Sequence, residues 1–301
     1  PRAPSSRGRI FNFSISRRAT SGPKGGKIAQ TSFMISTNTP PAPSITIGPK
    51  PGSETTPMTI STDLATPDRA LAIAAHPDDI EFGCGATLAK WAAAGCEVSL
   101  LICTDGSKGT WDATADTDRL VVTRQEEQRA AAAELGATGE VVFLGWTDGE
   151  LDSGLRQRAQ VASWIRRLRP NVLLGHDPWK RYRLHPDHRH AGLLTVEGLV
   201  AARDPHFFPE IALGHHRPDE LLLFEPEEID HVELVSGFDG HKLAALEAHK
   251  SQFESTMFVT DAGAGSAELE AFRARELERM VAHGGLVDAP LGEGFKRISE
   301  L

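Results

Sequence analysis

The stretch that decides the fold is LAIAAHPDDIEFGCG, residues 71–85. Its first part, 71–75, is a short apolar run that ends at the polar sequence HPDD, and a helical pattern follows. Such a run, with a helix after it, is typical of a buried parallel strand. The polar sequence supplies one imidazole and two carboxylates: His76, Asp78 and Asp79. Because open α/β sheets bind ligands beyond the carboxyl ends of their strands, this cluster is predicted to lie where the chemistry is.

The rest of the chain from about residue 67 alternates between strand and helix patterns. Further strands are predicted over 98–103, 141–144, 171–175, 221–224 and 231–235. Helices are predicted over 81–94, 123–135, 154–168, 185–202, 241–253 and 267–282. The helix at Thr123 is predicted from the capping box TRQE. In such a box, the Thr side chain accepts the backbone N–H of the Glu, and the Glu side chain accepts the backbone N–H of the Thr. This alternation predicts an α/β fold with a mostly parallel sheet and helices on both faces.

The amino-terminal part of the sequence differs from the remainder. The chain has 301 residues, a formal net charge of −9 and 40% hydrophobic residues, which suffices for one large domain with an appendage. Residues 1–66 are rich in Ser, Thr, Pro and Gly, and they contain no Asp or Glu up to Ser53. They are predicted to form a disordered basic tail before a folded domain over 67–301. A transit peptide, an expression remnant and translation upstream of a true start at Met58 are all compatible with this tail.

Composition also excludes several classes of protein. No run of about 18 apolar residues occurs, so no membrane span is predicted. The three cysteines contain no C-x-x-C pair, which argues against a disulfide scaffold or a cysteine zinc site and makes a reducing cytoplasm the simplest location: Cys84, Cys96 and Cys103. Nucleic-acid binding is not predicted, because the basic tail has few aromatic residues among its charges.

A second cluster of the same chemical types is HPDH, residues 185–188, which opens a predicted helix. Both clusters follow predicted strands, so the fold is expected to bring them to one edge of the sheet. Imidazole and carboxylate are zinc ligands, and a catalytic zinc needs three protein ligands and one open position. Either cluster alone also fits an ordinary strand-end turn or helix start, so the predicted metal centre depends on their co-occurrence.

Together, these motifs resemble the LmbE-like, PIG-L-type zinc de-N-acetylases. The resemblance rests on AHPDD and HPDH in this order, and it extends to TDGSKGTW at 104–111, TRQEE at 123–127 and LGWTDGEL at 144–151. It covers roughly residues 69–253. It implies a Rossmann-like fold, and it implies that 67–301 is a catalytic domain that removes an N-acetyl group from a small N-acetylglucosamine-type sugar conjugate. Members of the family often form homo-oligomers.

The resemblance also implies a role for each residue of the two motifs. His76, Asp79 and His188 would bind one Zn²⁺ per chain, although iron or cobalt also suits such donors. Asp78 would be the general base. His185 would be a protonated imidazole that stabilises the oxyanion or protonates the leaving amine.

Further residues are implied to support the site. Asp187 would orient His185 and keep it charged, and Arg124 would lie near the site and hold substrate or support the carboxylates. The loop residues Asp105, Trp111, Asp148 and Trp146 would contact sugar hydroxyls or stack on a ring, although each also fits an ordinary turn or core position. His176 ends a predicted strand and is therefore expected near the site.

Three other functions stay open at the level of sequence. A nucleotide-binding module is disfavoured, because no G-x-G-x-x-G follows the first strand and carboxylates occupy the phosphate-binding turn. A zinc-binding protein without catalysis would not need both Asp78 and His185. A related hydrolase, such as an amidase of sugar-thiol conjugates or an esterase, would use the same groups and is not separated by the sequence.

Overall fold

The computed structural model describes residues 59–263 and 265–301, and in this part of the chain eight strands form one sheet. The strands are β1 Ser61–Thr62, β2 Arg69–Ala74, β3 Glu97–Thr104, β4 Val141–Trp146, β5 Val172–His176, β6 Glu220–Phe224, β7 His231–Leu234 and β8 Gly292–Ile298. The helices are α1 Asp79–Ala93, α2 Thr117–Glu134, α3 Leu155–Leu168, α4 Pro186–Arg203, α5 Asp239–Ala248 and α6 Ala267–Gly285. The predicted α/β class and parallel sheet are confirmed.

The order of the strands defines where a ligand site belongs. The five strands β4, β3, β2, β5 and β6 are neighbours in that order and are all parallel. The chain order reverses between β2 and β5, and such a reversal opens a crevice at the carboxyl ends of the two strands. Beyond β6, the sheet continues through β8 and β7 to β1, with β8 antiparallel to both of its neighbours.

Strand β2 lies at the centre of two hydrophobic cores. Leu71 and Ile73 point to the side on which α3 and α4 pack, while the small residues Ala70, Ala72 and Ala74 point to the side of α1, α2 and α5. Successive side chains of a strand point to opposite faces, so a strand covered on both faces is apolar throughout. Helices therefore cover both faces of the sheet, as predicted.

Two predicted helix boundaries are wrong. Helix α2 begins at Thr117, and the side chain of Asp116 caps it by accepting the Arg119 N–H at 3.0 Å. The motif at Thr123 therefore lies inside the helix, because an earlier residue satisfies the first turn. Helix α5 ends at Ala248, and the chain continues as a 3₁₀ turn and a π-helix over Phe253–Met257 instead of one helix to 253.

Of the predicted tail, residues 1–66, the structure describes only residues 59–66. Residues 1–58 lie outside the described part of the chain, so the prediction of disorder is not addressed there. Ser61 and Thr62, which the prediction assigned to the tail, form β1 beside β7, so the folded domain begins before residue 67. Among the described residues, no helix combines the length and apolar character needed to cross a membrane. All three cysteines are free and buried.

Candidate active site

The turn that follows β2 sets the geometry of the site. Asp79 begins α1, and its Oδ2 accepts the backbone N–H of His76 at 2.8 Å, which closes the turn. Asp78 lies between them with φ of 106°, a conformation that non-glycine residues seldom adopt. Such strain is found chiefly where the surroundings fix the backbone at a functional position.

The carboxylate of Asp79 joins the two sequence clusters. Its Oδ2 lies 3.3 Å from Nδ1 of His76, and its Oδ1 lies 3.2 Å from Nε2 of His188. Burial alone would raise the pKa of Asp79, but His188 and His176 lower it to well below its usual value. An ionised carboxylate between two imidazoles is a suitable set of donors for a divalent transition metal.

Three overlapping groups of side chains have ligand atoms within 4.8 Å of one another. They are His76 with His185 and His188; Asp79 with His176 and His188; and His76 with Asp148 and Asp187. The three ligands predicted from sequence are divided between the first two groups, which share His188. All donors are imidazole nitrogens or carboxylate oxygens, so the residues present fit a zinc ion by their chemistry.

His176 belongs to this cluster although no motif contains it. It is the last residue of β5, and its Nε2 lies 3.3 Å from Oδ2 of Asp79. Its Nδ1 lies 3.0 Å from the guanidinium of Arg183, which also pairs with Glu225 at 3.1 Å. Burial lowers the pKa of His176 to about 4, so the ring is neutral. The sequence signal for it was only its place at the end of a predicted strand.

Asp78 is buried beside the metal-ligand cluster. Its backbone N–H donates to Oε1 of Gln128 at 3.1 Å, and its Oδ2 lies 3.5 Å from the guanidinium of Arg124. Burial raises the pKa of Asp78 to about 6, and the nearby guanidinium only partly opposes that rise. A carboxyl group with such a pKa can accept and return a proton near neutral pH.

Arg124 reaches the site from α2 and is buried with Asp78. Its guanidinium donates to the carbonyl of Pro77 at 2.6 Å and to the carbonyl of Gly106 at 2.9 Å. A Cβ on Gly106 would lie 2.8 Å from this guanidinium, and the φ of that residue is +66°. Glycine is therefore required where the β3 loop passes over the arginine. Arg124 thus connects the turn at Pro77 with the loop at Gly106, next to Asp78.

Asp187, the predicted partner of His185, makes its direct contacts with other groups. Asp187 is fully buried and accepts the N–H of Gly149 at 2.6 Å, and its Oδ2 lies 3.2 Å from Nε2 of His76. Among the described residues, no ion pair joins Asp187 to His185 directly, although the carboxylate of Asp187 still raises the pKa of His185 through its charge. The second position of α4 directs Asp187 toward backbone donors of the β4 loop, whereas His185 precedes the helix.

The surroundings of His185 disfavour the protonated imidazole that the resemblance implied. Burial and the imidazoles of His76 and His188 lower its pKa below the usual value of histidine. Its ring lies against His76, with ring centroids 4.6 Å apart, and against His188 at 4.9 Å. These surroundings favour the neutral imidazole, which still offers one N–H donor.

The predicted loop residues take different positions. Asp148 is buried, with Oδ1 at 3.3 Å from Nε2 of His76. Asp105 accepts the backbone N–H groups of Ser107 and Asp148 and so joins two loops. Trp146 donates from its indole to Gln160, while Trp111 is 65% exposed.

An open cleft of about 430 Å³ lies over these groups. Seven of the predicted site residues line it: His76, Asp78, Asp79, Arg124, Asp148, His185 and His188. Four polar residues line it that the sequence reasoning missed: Lys108, Gln252, Ser255 and Thr256. The last two belong to the π-helix after α5, an element that often occurs at functional sites and has no simple sequence signal.

A buried chain of polar groups extends behind Asp78 and was also missed. Gln128 donates from Nε2 to Oε1 of Glu81 at 2.6 Å, and Nε2 of His249 lies 3.5 Å from Oε2 of Glu81. Burial lowers the pKa of His249, but the carboxylate of Glu81 more than offsets this and raises it. Glu81 lies on α1, Gln128 lies on α2 and His249 directly follows α5, so only the packing of these helices brings the three residues together.

The fold and the site define a Rossmann-like α/β enzyme with a candidate metal centre at the switch point of its sheet. Residues 71–199 match the family described as PIG-L, GlcNAc-PI de-N-acetylase. The chain belongs to this family of deacetylases, which act on amide bonds. The predicted family and enzyme class are therefore confirmed.

Several individual proteins resemble the chain. It is 34% identical over 199 residues to the diacetylchitobiose deacetylase of Thermococcus kodakarensis, a match that covers 62% of this chain and 70% of that protein. It is 29% identical over 218 residues to the 1D-myo-inositol 2-acetamido-2-deoxy-alpha-D-glucopyranoside deacetylase of Streptomyces scabiei, with 64% and 66% covered.

A solved structure also matches the fold. It is the N,N'-diacetylchitobiose deacetylase from Pyrococcus horikoshii in complex with an inhibitor, with a TM-score of 0.69 and 25% identity. The match covers 77% of this chain and 84% of that one. The likeness therefore includes most of the described α/β domain.

Proposed function

We propose that this protein hydrolyses the N-acetyl amide of an N-acetylglucosamine-type unit in a small sugar conjugate, releasing acetate and a primary amine. The family and the names of the two relatives support this substrate class. The observation that carries the proposal is the carboxyl group of Asp78, which is buried beside the candidate metal ligands with its pKa raised to about 6.

His76, Asp79 and His188 would hold one zinc ion, since each of the two imidazoles contacts one carboxylate oxygen of Asp79. When bound, zinc would polarise the acyl oxygen and make a water molecule acidic enough to react near neutral pH. Asp148 and Asp187, which contact Nε2 of His76, would fix the orientation of that ring and make it a better donor.

Asp78 would move the protons of the reaction. It would accept a proton from the attacking water as the new C–O bond forms at the acyl carbon. It would then return this proton to the nitrogen as the C–N bond breaks, so that the amine leaves neutral. A pKa of about 6 suits both transfers. Arg124 would hold Asp78 in place through the backbone of the same turn.

His185 would stabilise the negative charge that develops on the acyl oxygen. Burial and the neighbouring imidazoles lower its pKa and so favour the neutral ring, which would act as an N–H donor rather than as a charged acid. Such a preorganised donor accounts for about 10²–10³ in kcat where it has been removed from other hydrolases.

The direct test measures acetate and free amine released from N-acetylglucosamine conjugates by the metal-loaded protein. We expect Asp78→Asn to keep its bound metal and to lose about 10²–10⁴-fold in kcat, because the base is gone and the shape is kept. The control is Asp219→Asn, an exposed aspartate that pairs with Asn171 near the start of β6. A kcat for Asp78→Asn within threefold of the wild type would contradict the assignment of the base.

A further inference from the structure

His176, the last residue of β5, contacts two of the three proposed metal ligands. Its Nε2 lies 3.3 Å from Oδ2 of Asp79, and its ring is stacked on the ring of His188, with the centroids 4.5 Å apart and the planes inclined by 12°. Phe224 contacts the His176 ring edge-on, with a centroid distance of 4.6 Å. His176 is only 1% exposed, so these contacts fix both the position and the plane of its ring.

Arg183 determines which nitrogen of His176 carries a proton. A guanidinium group has N–H donors only, and Nη1 of Arg183 lies 3.0 Å from Nδ1 of His176. Nδ1 must therefore accept a hydrogen bond, since a proton on it would set two donors against each other. The proton of the imidazole then lies on Nε2, and this N–H donates to the carboxylate of Asp79.

Arg183 is itself held by the end of strand β6. Its Nη1 lies 3.1 Å from the carboxylate of Glu225, and its Nη2 donates to the carbonyl of the same residue at 3.2 Å. Arg183 is buried, although Tyr182 and Leu184 on either side of it are exposed. A guanidinium that turns inward from an exposed loop needs such a charged partner, because burying an unpaired charge is costly.

The protonated Nε2 separates two candidate sets of metal donors. Asp79 and His188 form one compact group with His176, and His188 forms another with His76 and His185. A ring nitrogen that carries a proton has no lone pair for a metal, so His176 is not a ligand in the first group. Its N–H and the backbone N–H of His76 both lie at Oδ2 of Asp79, whereas Oδ1 of that carboxylate contacts His188.

We infer that His176 is a positioning residue of the metal centre, with its tautomer fixed by Arg183 and Glu225. Its N–H orients the carboxylate of Asp79, and its face supports the ring of His188. The inference rests on the proposed function, because it takes the ligand set from there. Residues that hold metal ligands in place typically contribute 10–100-fold to metal affinity in other proteins.

The first test measures the zinc Kd of the full chain by competition with a chromophoric chelator after removal of its metal. We expect His176→Leu to bind zinc 10–100-fold more weakly, because Asp79 loses its donor and His188 its stacking partner. His176→Gln should recover most of this loss, since the amide N–H of Gln can replace the N–H at Nε2 but is a poor zinc ligand. His216→Leu is the matched control, because it removes a half-buried imidazole that contacts the carbonyl of Pro170 instead.

The second test determines the tautomer of His176 by NMR of the zinc-loaded protein with ¹⁵N-labelled histidine. The signal of His176 is assigned by its absence from the spectrum of His176→Gln. We expect a proton on Nε2 in the wild type while zinc is bound, and a mixture of both tautomers in Arg183→Met, where Nδ1 no longer faces a guanidinium. Arg181→Met, which removes an exposed arginine of the same loop that pairs with Glu227, should keep the wild-type tautomer.

Equal zinc affinity of the wild type and His176→Leu would overturn the positioning role. A zinc-loaded wild type without a proton on Nε2, or a loss in His176→Gln as large as in His176→Leu, would also overturn it, because His176 would then act as a ligand. If His176→Leu does not fold, His176→Gln and the tautomer decide by the same criteria. A wild type that binds no zinc would instead contradict the metal centre itself and with it the proposed function.

Discussion

Asp78 illustrates how neighbouring residues keep a strained backbone in place. A non-glycine residue at a φ of 106° costs about 1–3 kcal/mol, so other contacts must hold it. Arg124 binds the carbonyl of the preceding Pro77, and Gln128 accepts the N–H of Asp78 itself. Both side chains are buried on the same face of α2, one turn apart. The helix therefore fixes the position of the proposed base through the backbone.

Gln128 gives a test of this arrangement. We expect Gln128→Leu to lower kcat on the order of tenfold at unchanged KM, because Asp78 loses a backbone partner while the cleft wall stays intact. Its free energy of unfolding should also fall by about 1–3 kcal/mol, since Oε1 of Glu81 and the N–H of Asp78 each lose a buried hydrogen-bond partner. Steady-state kinetics and urea unfolding measure both. Gln125→Ala, one turn earlier on the same helix, is the control, and equal behaviour of the two variants would refute the role.

For individual residues, the sequence indicated the members of the two motifs but not the buried side chains that contact them. The sequences AHPDD and HPDH contain the metal-ligand types in a fixed order, so they can be recognised without a structure. Glu81 and Gln128 lie on helices and His249 directly follows one, all outside the two metal-ligand motifs, and they meet only because α1, α2 and α5 pack together. The direct partners of Asp187 were not predicted, because its backbone donors come from a loop far away in sequence.

Helix α4 carries His188 near its first turn and is fastened at its other end by one arginine. The guanidinium of Arg166, on α3, donates to the carbonyls of Ala201, Asp204 and Phe207 at 2.8–2.9 Å. The last carbonyls of a helix have no partner within it, so an external donor stabilises the helix end. This contact holds α4 against α3 and hence steadies the HPDH motif.

We expect Arg166→Met to lower the free energy of unfolding by on the order of 3 kcal/mol, because several buried carbonyls lose a charged donor at once. Arg167→Met, at the adjacent exposed position, should change it by less than about 0.5 kcal/mol. Denaturant unfolding of both variants measures the difference. Similar values for the two would show that the buried contacts contribute little.

Glu233 of β7 is a buried carboxylate that pairs with Lys90 of α1, and its contribution to stability depends on pH. Glu233 is fully buried and pairs with Lys90 at 2.5 Å and with His231 at 2.9 Å. Burial alone would raise the pKa of Glu233, but its hydrogen bond to His231 and the charge of Lys90 lower it below the usual value. The carboxylate therefore stabilises the fold at pH values above the ordinary glutamate pKa, and this contribution disappears as the pH falls through the lower folded value.

We expect the melting temperature of the wild type to fall more steeply below a pH of about 4.5 than that of Glu233→Gln, which has no charge to lose at this position. Thermal unfolding between neutral and acidic pH measures both slopes. Glu150→Gln, which removes an exposed partner of Lys108, should keep the wild-type slope. Parallel curves for Glu233→Gln and the wild type would exclude the ion pair as a source of acid sensitivity.

Among the elements, long periodic segments were predicted well and short or interrupted ones were not. Helix α3 and strand β2 follow their hydrophobic patterns closely. Strand β8, with two glycines and two basic residues among seven, gave no strand pattern, and it forms because β6 and β7 supply hydrogen bonds on both sides. Strand β1 has only two residues, and tertiary contacts alone define it.

For the whole molecule, the candidate metal centre links two distant parts of the chain. His76 and Asp79 follow β2, while His188 lies on α4, and the switch point of the sheet brings them together. A metal that binds only the folded state adds stability in proportion to the logarithm of its concentration over Kd, about 2.7 kcal/mol at 100 Kd.

We therefore expect zinc to raise the melting temperature of the metal-free protein, and a chelator to reverse the rise. His188→Ala should abolish the shift, because one of the proposed ligands is lost, whereas His190→Ala, a near neighbour that contacts Ser153, should retain it. Differential scanning calorimetry with metal analysis of the same samples measures both effects. An equal shift in all three proteins would place the metal elsewhere.

The antiparallel strand β8 has a consequence for the order of synthesis. Strands β7 and β1 are hydrogen-bonded to the rest of the sheet only through β8 within the described residues, and β8 ends at Ile298. While the chain emerges from the ribosome, the five parallel strands can assemble early, because all of them precede β8, but the edge of β6 stays unpaired until β8 has emerged. Until β8 has emerged, that edge is open to pairing with other chains, so the nascent chain is most exposed to wrong association in the interval between the synthesis of β6 and that of β8.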